Sequence, residues 1–523
     1  MPRPTMPRRA FLRSSAALTA LGTASAVFGL DACSSGSGSS ADRLVMLLPG
    51  DIPVGWDAIR GAVNDRLKAD LGFTIDAQFI SWTNYSNQEL LKFTSGERFD
   101  QALEARWLHL DQLLSSGSLR PMDGYFADKA HPHLDATVSA KARASVTYKG
   151  HQYAVPQVNY ASAITGMVIR QDLAEKYGIG SVETYEDFER YLYAVKQHDR
   201  GLIPFGLDNG YVNNTVTPQP TGLFNAHSWE DPSQFFQAAG SNAGIFAMDP
   251  RAGTTGSSRP RPFWEAPGVV ETLHRIRKYN QDGILNKDVL NADVSSVRGL
   301  FGQGRYAATV GNTDGLTTTT FGAVASAVHG AAIAQVVPFA KGTAARPAAT
   351  FQASNNVVIN KNSAHADMVM KLQDWVSVKE NHDLVSYGIE GKDWKAHGDS
   401  EFETLSKYVF PGFALCWRIS LERTPVGMVD SERTWFGWAK DYGHFTTDPF
   451  TSFYFDQTPV KTNISQLASA YNQYGKPLFA GTVDVASGLS KLQSAFEHAG
   501  LDKVLDQLQT QADAYLAAAK SAR

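Results

Sequence analysis

The first ordered pattern along the chain is a short apolar run, Arg43-Leu44-Val45-Met46-Leu47-Leu48, which stops at Pro49-Gly50-Asp51. Apolar residues then recur at Trp56, Ile59, Val63 and Leu67, the spacing of one helical face. Strand, loop and helix are therefore expected in that order. Residues 73–80 alternate apolar and polar side chains as a half-buried strand does, and helical spacing returns over 87–93. The same alternation predicts a strand over 99–106, a helix over 108–114, a strand over 161–170, a helix over 172–177 and a strand over 306–310. Core-facing helical stripes run through Val269, Val270, Leu273, Ile276 and Tyr279, and through Met368, Val369, Leu372, Trp375 and Val376. Leu492, Phe496, Val504, Leu505, Leu508, Tyr515 and Leu516 end the chain on helices over about 489–519. Two stretches rich in small and turn-forming residues, 253–261 and 315–332, read as surface loops. Strands alternating with helices predict α/β architecture around a parallel sheet.

Ahead of this body, Arg3, Arg8, Arg9 and Arg13 precede an apolar, small-residue stretch over 16–30. Its length, about fifteen residues, falls short of the about 20 that cross a bilayer, so residues 1–32 read as a signal peptide. Arg8-Arg9-Ala10-Phe11-Leu12-Arg13 resembles the twin-arginine export signal, with Pro7 where Ser or Thr is usual. Either that route or the general secretory one carries the chain out of the cytosol. Leu30-Asp31-Ala32-Cys33 resembles a lipobox, unusual only in its Asp31, and makes Cys33 the residue that is diacylated and becomes N-terminal. The alternative is an ordinary cleavage site with an incidental cysteine. Residues 33–42, with Ser34-Ser35-Gly36-Ser37-Gly38-Ser39-Ser40, cannot build a core and suit a flexible tether.

Charge narrows the partners. The chain carries −4 overall, and since residues 1–32 hold four Arg and one Asp, the remainder carries −7. With no Lys/Arg cluster, nucleic acid is excluded as a partner, while aromatic residues at 11% favour a neutral ligand that stacks. If Cys33 is acylated, Cys416 is the one remaining thiol, so a disulfide-free body of roughly 490 residues relies on core burial, enough for two lobes. The sequence holds no H-E-x-x-H, no phosphate-cradling loop and no nucleophile elbow, and His131-Pro132-His133 reads as a solvated loop. No metal and no cofactor are expected.

Several segments together resemble the extracellular solute-binding lipoproteins of bacterial carbohydrate ABC transporters, over the length from Leu44 to the C-terminus. They are Ser95-Gly96-Glu97-Arg98-Phe99-Asp100 followed by Leu119-Arg120-Pro121-Met122-Asp123, and Tyr148-Lys149-Gly150-His151-Gln152-Tyr153-Ala154-Val155-Pro156. Tyr387-Gly388-Ile389-Glu390-Gly391-Lys392-Asp393-Trp394 is similar to the signature of one branch, and Phe455-Asp456-Gln457-Thr458-Pro459-Val460-Lys461-Thr462 with Ala499-Gly500-Leu501-Asp502-Lys503-Val504-Leu505 resembles that branch's extra C-terminal domain of unknown function. The resemblance implies a two-lobed periplasmic-binding-protein-like α/β fold with a ligand cleft between the lobes and a helical C-terminal segment. It implies a monomeric, non-enzymatic receptor that captures a sugar or oligosaccharide, delivers it to ABC permease subunits, and sits on the outer face of the cytoplasmic membrane through its lipid. The expected layout is lobe 1 over 43–157 and 337–398, lobe 2 over 158–336, a lobe 2 or cleft segment over 399–450, and a C-terminal domain over 451–523. Two other readings stay open: a peptide-binding receptor of the same fold, and an exported glycoside hydrolase using Asp51 and Asp100 as carboxylates about 5–10 Å apart.

A sugar ring needs aromatic platforms for its C–H faces and short polar side chains for its hydroxyls, and α/β folds bind ligands at strand C-terminal ends. Loops after predicted strands supply Asp51, Trp82, Tyr85 and Trp107 from the first lobe. The second supplies Asn159, Tyr160, Asn209, Tyr211, Asn312 and Asp314, while Glu390 and Trp394 lie in the signature loop and Trp417 and Arg418 follow a short apolar run. The competing reading is structural: a Trp in a long chain is commonly core, as Trp375 in its stripe, and Asp or Asn after a strand commonly caps a helix.

Overall fold

The computed structural model describes residues 42–127, 129–161, 164–216, 223–225, 234–237, 245–249, 251–337, 348–349, 354–447 and 449–521. The export signal, Cys33 and the tether up to residue 41 lie outside them.

Nine strands build the two principal sheets: β1 (Arg43–Pro49), β2 (Thr74–Ile80), β3 (Gln101–Glu104), β4 (Ala154–Gln157), β5 (Thr165–Arg170), β6 (Ile203–Gly206), β7 (Tyr306–Asn312), β8 (Ile333–Val336) and β9 (Asn355–Ile359). One lobe has the order β2-β1-β3-β9-β4 and the other β8-β5-β7-β6. The first three strands run parallel, Leu47 beside both Gln78 and Ala102. The expectation of a wholly parallel sheet is corrected beyond them. β9 is antiparallel to β3 and β4, and β5 is antiparallel to β7 and β8, leaving β6 and β7 as the second lobe's parallel pair. β9 is the reason the lobes are not consecutive in sequence: the chain leaves the first sheet after β4, builds the second, and returns to insert β9 between β3 and β4.

The helices follow their apolar stripes. α1 (Trp56–Leu71) buries Trp56, Ile59, Val63 and Leu67 and ends at Gly72, whose φ of 81° lets the chain turn back where a side chain would be strained. α2 (Trp82–Ser95) starts five residues earlier than the 87–93 pattern indicates, so Trp82 and Tyr85 lie in its first turn and not in a loop. α3 (Leu110–Ser115) follows β3 after a short turn. The 315–332 stretch, expected as a loop, contains α4 (Thr317–Phe321) and α5 (Val324–Ala327), because Phe321 and Val324 are buried. Residues 253–261 likewise begin within a short helix, Ala252–Thr255. In the 269–279 stripe Val270 faces solvent, 38% exposed, while its companions are buried.

Each lobe has its own core. Leu47, Leu103, Val155, Val357 and Val369 belong to the first, together with Tyr408, Phe410 and Cys416 from the 399–450 segment. Phe205, Ala307, Leu273 and Ile276 belong to the second. The C-terminal helices α6 (Lys461–Ala470), α7 (Val485–His498) and α8 (Leu501–Ser521) continue that second core through Leu467, Leu492, Phe496, Val504 and Leu508. Burial pushes the Cys416 thiol up to about 12, so it stays protonated and inert.

Candidate ligand-binding site

The C-terminal ends of the parallel strands aim the chain at one aromatic surface. β2 ends at Ile80, Ser81 precedes α2, and α2 then presents Trp82 on its outer side, 40% exposed. Its ring lies 6.0 Å from Trp107, which sits in the turn after β3, and is stacked 5.7 Å from Phe413. Phe413 meets Trp417 edge-on at 5.7 Å, and Trp417 meets Tyr160 at 5.7 Å. Trp107, Trp82, Phe413, Trp417 and Tyr160 thus form a continuous aromatic belt from the first lobe to the crossover. Ser354 ties its two ends: its carbonyl accepts from Trp107 Nε1 at 2.9 Å, and its hydroxyl meets Tyr160 Oη at 2.7 Å.

Polar groups from the second lobe collect beside Tyr160. Asn159 donates from Nδ2 to the Asp314 carbonyl at 3.0 Å, while its buried Oδ1 has no partner among the described residues. Asn312, the last residue of β7, donates to Tyr211 Oη at 3.0 Å. Burial pushes the Asp314 carboxyl up to about 6, opposed by the Leu316 N–H and Arg298. The next residue, Gly315, has φ 78° and packs so closely under Phe436 that a Cβ would stand 2.8 Å from the ring. Glu432 fixes the same turn from behind by accepting from Thr317 N and Thr318 N, both at 2.7 Å.

The remaining candidates lie elsewhere, each for an identifiable reason. Tyr85 is fully buried beneath Trp82, and its hydroxyl donates to the Leu103 carbonyl at 3.0 Å, a core position. Asp51 is exposed at the end of β1, one residue beyond Gly50, whose Cβ position is 3.8 Å from Trp82 Nε1. Asn209 accepts from Lys476 at 3.2 Å, so it faces the C-terminal helices. Trp394 is buried and donates to the Gly388 carbonyl at 2.9 Å, closing the signature loop on itself, while Glu390 is exposed on that loop. Arg418 is fully buried: its guanidinium donates to Ser377 Oγ at 3.0 Å, Gln157 Oε1 at 2.9 Å and Gln373 Oε1 at 3.0 Å. Burial pulls it down to about 10, still protonated, and it braces the crossover without reaching solvent. Phe413, Ser354 and Glu432 went unrecognised in the sequence. A hydrophobic ring, a serine and a glutamate more than 200 residues from Trp82 carry no local signal.

The proposed glycosidase pair comes apart. Asp100 is buried, accepting from Val45 N at 2.7 Å and Ser363 Oγ at 2.6 Å. It lies level with Val45, whereas Asp51 follows the end of β1 at Pro49, about 13 Å farther along the strand at about 3.3 Å per residue.

The model of a family described as "Bacterial extracellular solute-binding protein" matches residues 57–383, and that of a domain of unknown function, DUF3502, matches residues 449–517. A carbohydrate ABC transporter substrate-binding protein of Streptococcus pneumoniae serotype 4 is 24% identical over 511 residues, 93% of this chain and 95% of that protein. The N-glycan transport solute binding protein NgtS of Streptococcus pneumoniae, solved in complex with Man5GlcNAc, superposes with a TM-score of 0.72 at 20% identity, over 91% of this chain and 98% of its own. An HMO binding ABC-transporter associated solute binding protein of Bifidobacterium longum infantis superposes at 0.60 with 15% identity, over 91% of this chain and 99% of its own.

Proposed function

The chain belongs to the bacterial extracellular solute-binding proteins, and from that premise we propose that it captures an oligosaccharide outside the cytoplasmic membrane and hands it to the permease of a carbohydrate ABC importer. The observation that carries the oligosaccharide reading is the belt from Trp107 through Trp82, Phe413 and Trp417 to Tyr160. Trp82, Trp107 and Phe413 keep part of their surface in solvent, a run longer than one ring that suits a chain of sugars, while Trp417 and Tyr160, 7% and 8% exposed, back it. Asn159, Tyr211, Asn312 and Asp314 supply the acceptors and donors that hydroxyls need. The relatives support the same ligand class, being a carbohydrate receptor and receptors solved as N-glycan and HMO binders. A charged peptide fits less well, because Arg418, which follows Trp417 of the belt, has its guanidinium saturated by protein acceptors.

The receptor works without turnover in this reading, since a binding cleft needs only to close and reopen. It is tethered by acylated Cys33, with Ser/Gly residues giving it reach, and acts as a monomer. The test is calorimetric titration with Man5GlcNAc, milk-type oligosaccharides, monosaccharides and peptides, with chromatography of the ligand afterwards. Micromolar or tighter binding of an oligosaccharide recovered intact is expected. Binding confined to peptides, or appearance of shorter sugars, overturns the reading. Replacing Cys33 by Ala and fractionating cells checks the anchor: the variant is expected in the soluble fraction.

A further inference from the structure

Behind the Trp82/Trp107 surface three side chains converge that no binding role yet uses. Glu89 comes from α2, Glu104 ends β3, and His109 closes the turn before α3, and one ligand atom from each lies within 4.8 Å of the others. His109 Nδ1 is 3.7 Å from Glu89 Oε2 and 3.8 Å from Glu104 Oε1. That is too far for hydrogen bonds, and it is the spacing of atoms that share an ion at about 2.0–2.2 Å each. Both carboxyls are fully buried, and no other residue among the described ones hydrogen-bonds Glu89 Oε1 or Oε2, Glu104 Oε1 or His109 Nδ1; the two acids are left with each other, and burial together with the Glu104 charge raises the Glu89 carboxyl well above its usual range.

The surroundings orient these atoms inward. Glu104 Oε2 accepts from Ala105 N at 2.9 Å and His109 N at 3.0 Å, which turns Oε1 toward the cluster. His109 Nε2 lies 3.3 Å from Ser86 Oγ, and an Nε2–H held there leaves the Nδ1 lone pair free to bind. The neighbouring guanidinium of Arg106 sits 4.0 Å over the Tyr454 ring. Two buried carboxylates side by side repel and lose their hydration, and a doubly charged cation cancels both.

We infer that Glu89, Glu104 and His109 form a divalent-cation site. Two carboxylates and one imidazole suit Zn²⁺ or Mn²⁺, with water completing the coordination. The ion joins α2 to the β3–α3 turn, the two elements that carry Trp82 and Trp107, and so fixes the spacing of the rings in front of it.

The test does not require the cleft to bind sugar. The purified protein is stripped with chelator and titrated with ZnCl₂ or MnCl₂ alone, and bound metal is counted after gel filtration. The expected result is about one equivalent of one ion retained and a rise in Tm, with both lost in Glu89→Gln and in His109→Gln. Loading the stripped wild-type protein with Co²⁺ reads the same site without a variant, through visible d–d absorption of an ordered nitrogen/oxygen site. No retained metal and no Tm shift with either ion overturns the inference and leaves the two carboxyls sharing a proton. Equal retention by wild type and both variants overturns it too, because the ion then sits elsewhere.

Discussion

Trp82 keeps 40% of its surface in solvent although Phe413, Tyr85 and Trp107 surround it, which forfeits burial that a core tryptophan would gain. A ring so placed is free to contribute to ligand instead. Trp82→Ala is expected to weaken oligosaccharide binding about 10- to 30-fold, about 1.4–2 kcal/mol, with Tm nearly unchanged. Calorimetry and thermal melts on the same preparation separate binding from stability. Asp314 gives a second residue-scale expectation. With its carboxyl raised by burial to about 6, it is ionised at pH 7 and protonated at pH 5. Hydroxyls donating to a carboxylate bind more strongly than to a neutral acid, so affinity should fall several-fold as pH drops through about 6. Asp314→Asn should flatten that profile; an unchanged slope would remove Asp314 from the site. Sequence reading reached Trp82 and Asp314 because both follow strands. It could not separate Trp82 from Tyr85, three positions on, because it began the helix at 87; Tyr85 lies on the buried face of α2 with Glu89 and Phe93, and its hydroxyl bonds the Leu103 carbonyl. Nor do Glu89, Glu104 and His109, spaced by fifteen and five residues, match a metal-ligand motif.

At the scale of elements, the signature loop shows why a recognisable motif need not be a site. Gly388 has φ 94°, and a Cβ there would lie 2.7 Å from that of Asp393, whose Oδ2 accepts from Ile389 N at 3.0 Å. The motif specifies a turn, and Trp394 is its plug. The helix before it, Lys379–Tyr387 in the first lobe, is held to the 418–423 segment by charges. His382 is fully buried, with Nδ1 3.0 Å from Asp383 and Nε2 3.2 Å from Glu422, and Arg423 bonds Asp383 at 2.8 Å. Burial alone would pull the imidazole down, but the two carboxylates outweigh it and its pKa is raised. A raised folded-state value means the protonated ring favours the fold. That contribution is complete below the ordinary value of about 6.5 and is lost as pH rises through the folded one. His382→Gln is therefore expected to cost about 3 kcal/mol near pH 6 and progressively less as the pH is raised through the folded-state value, read as the difference in Tm between wild type and variant at each pH. A cost that grows with pH would contradict the imidazolium assignment. Periodicity located this helix's neighbours in the core, but a network built from residues forty positions apart has no sequence period.

For the whole molecule, the decisive feature is how the parts share cores. Strand alternation made the two α/β lobes legible, and the C-terminal apolar spacing made the last helices legible. What the spacing left out is the partner those helices choose. They extend the second lobe's core, and Tyr471 Oη to Asn213 Oδ1 at 2.5 Å and Thr215 Oγ1 to the Phe479 carbonyl at 3.0 Å fasten them beside Asn209 and Tyr211. The C-terminal segment therefore stiffens the wall that carries the second lobe's polar groups. The belt's most exposed ring, Trp82, belongs to the first lobe, whereas Tyr211, Asn312 and Asp314 belong to the second. An oligosaccharide held by both sets is expected to draw the lobes together, each moving as a rigid body because its own core is closed. Small-angle scattering should then show the radius of gyration falling by about 0.5–1 Å from a value near 23 Å at saturating ligand. Trp82→Ala should need about 10- to 30-fold more ligand for the same fall. An unchanged radius in the saturated wild type would mean that the sugar is held by one lobe alone, and the polar residues of the second would lose their place in the site.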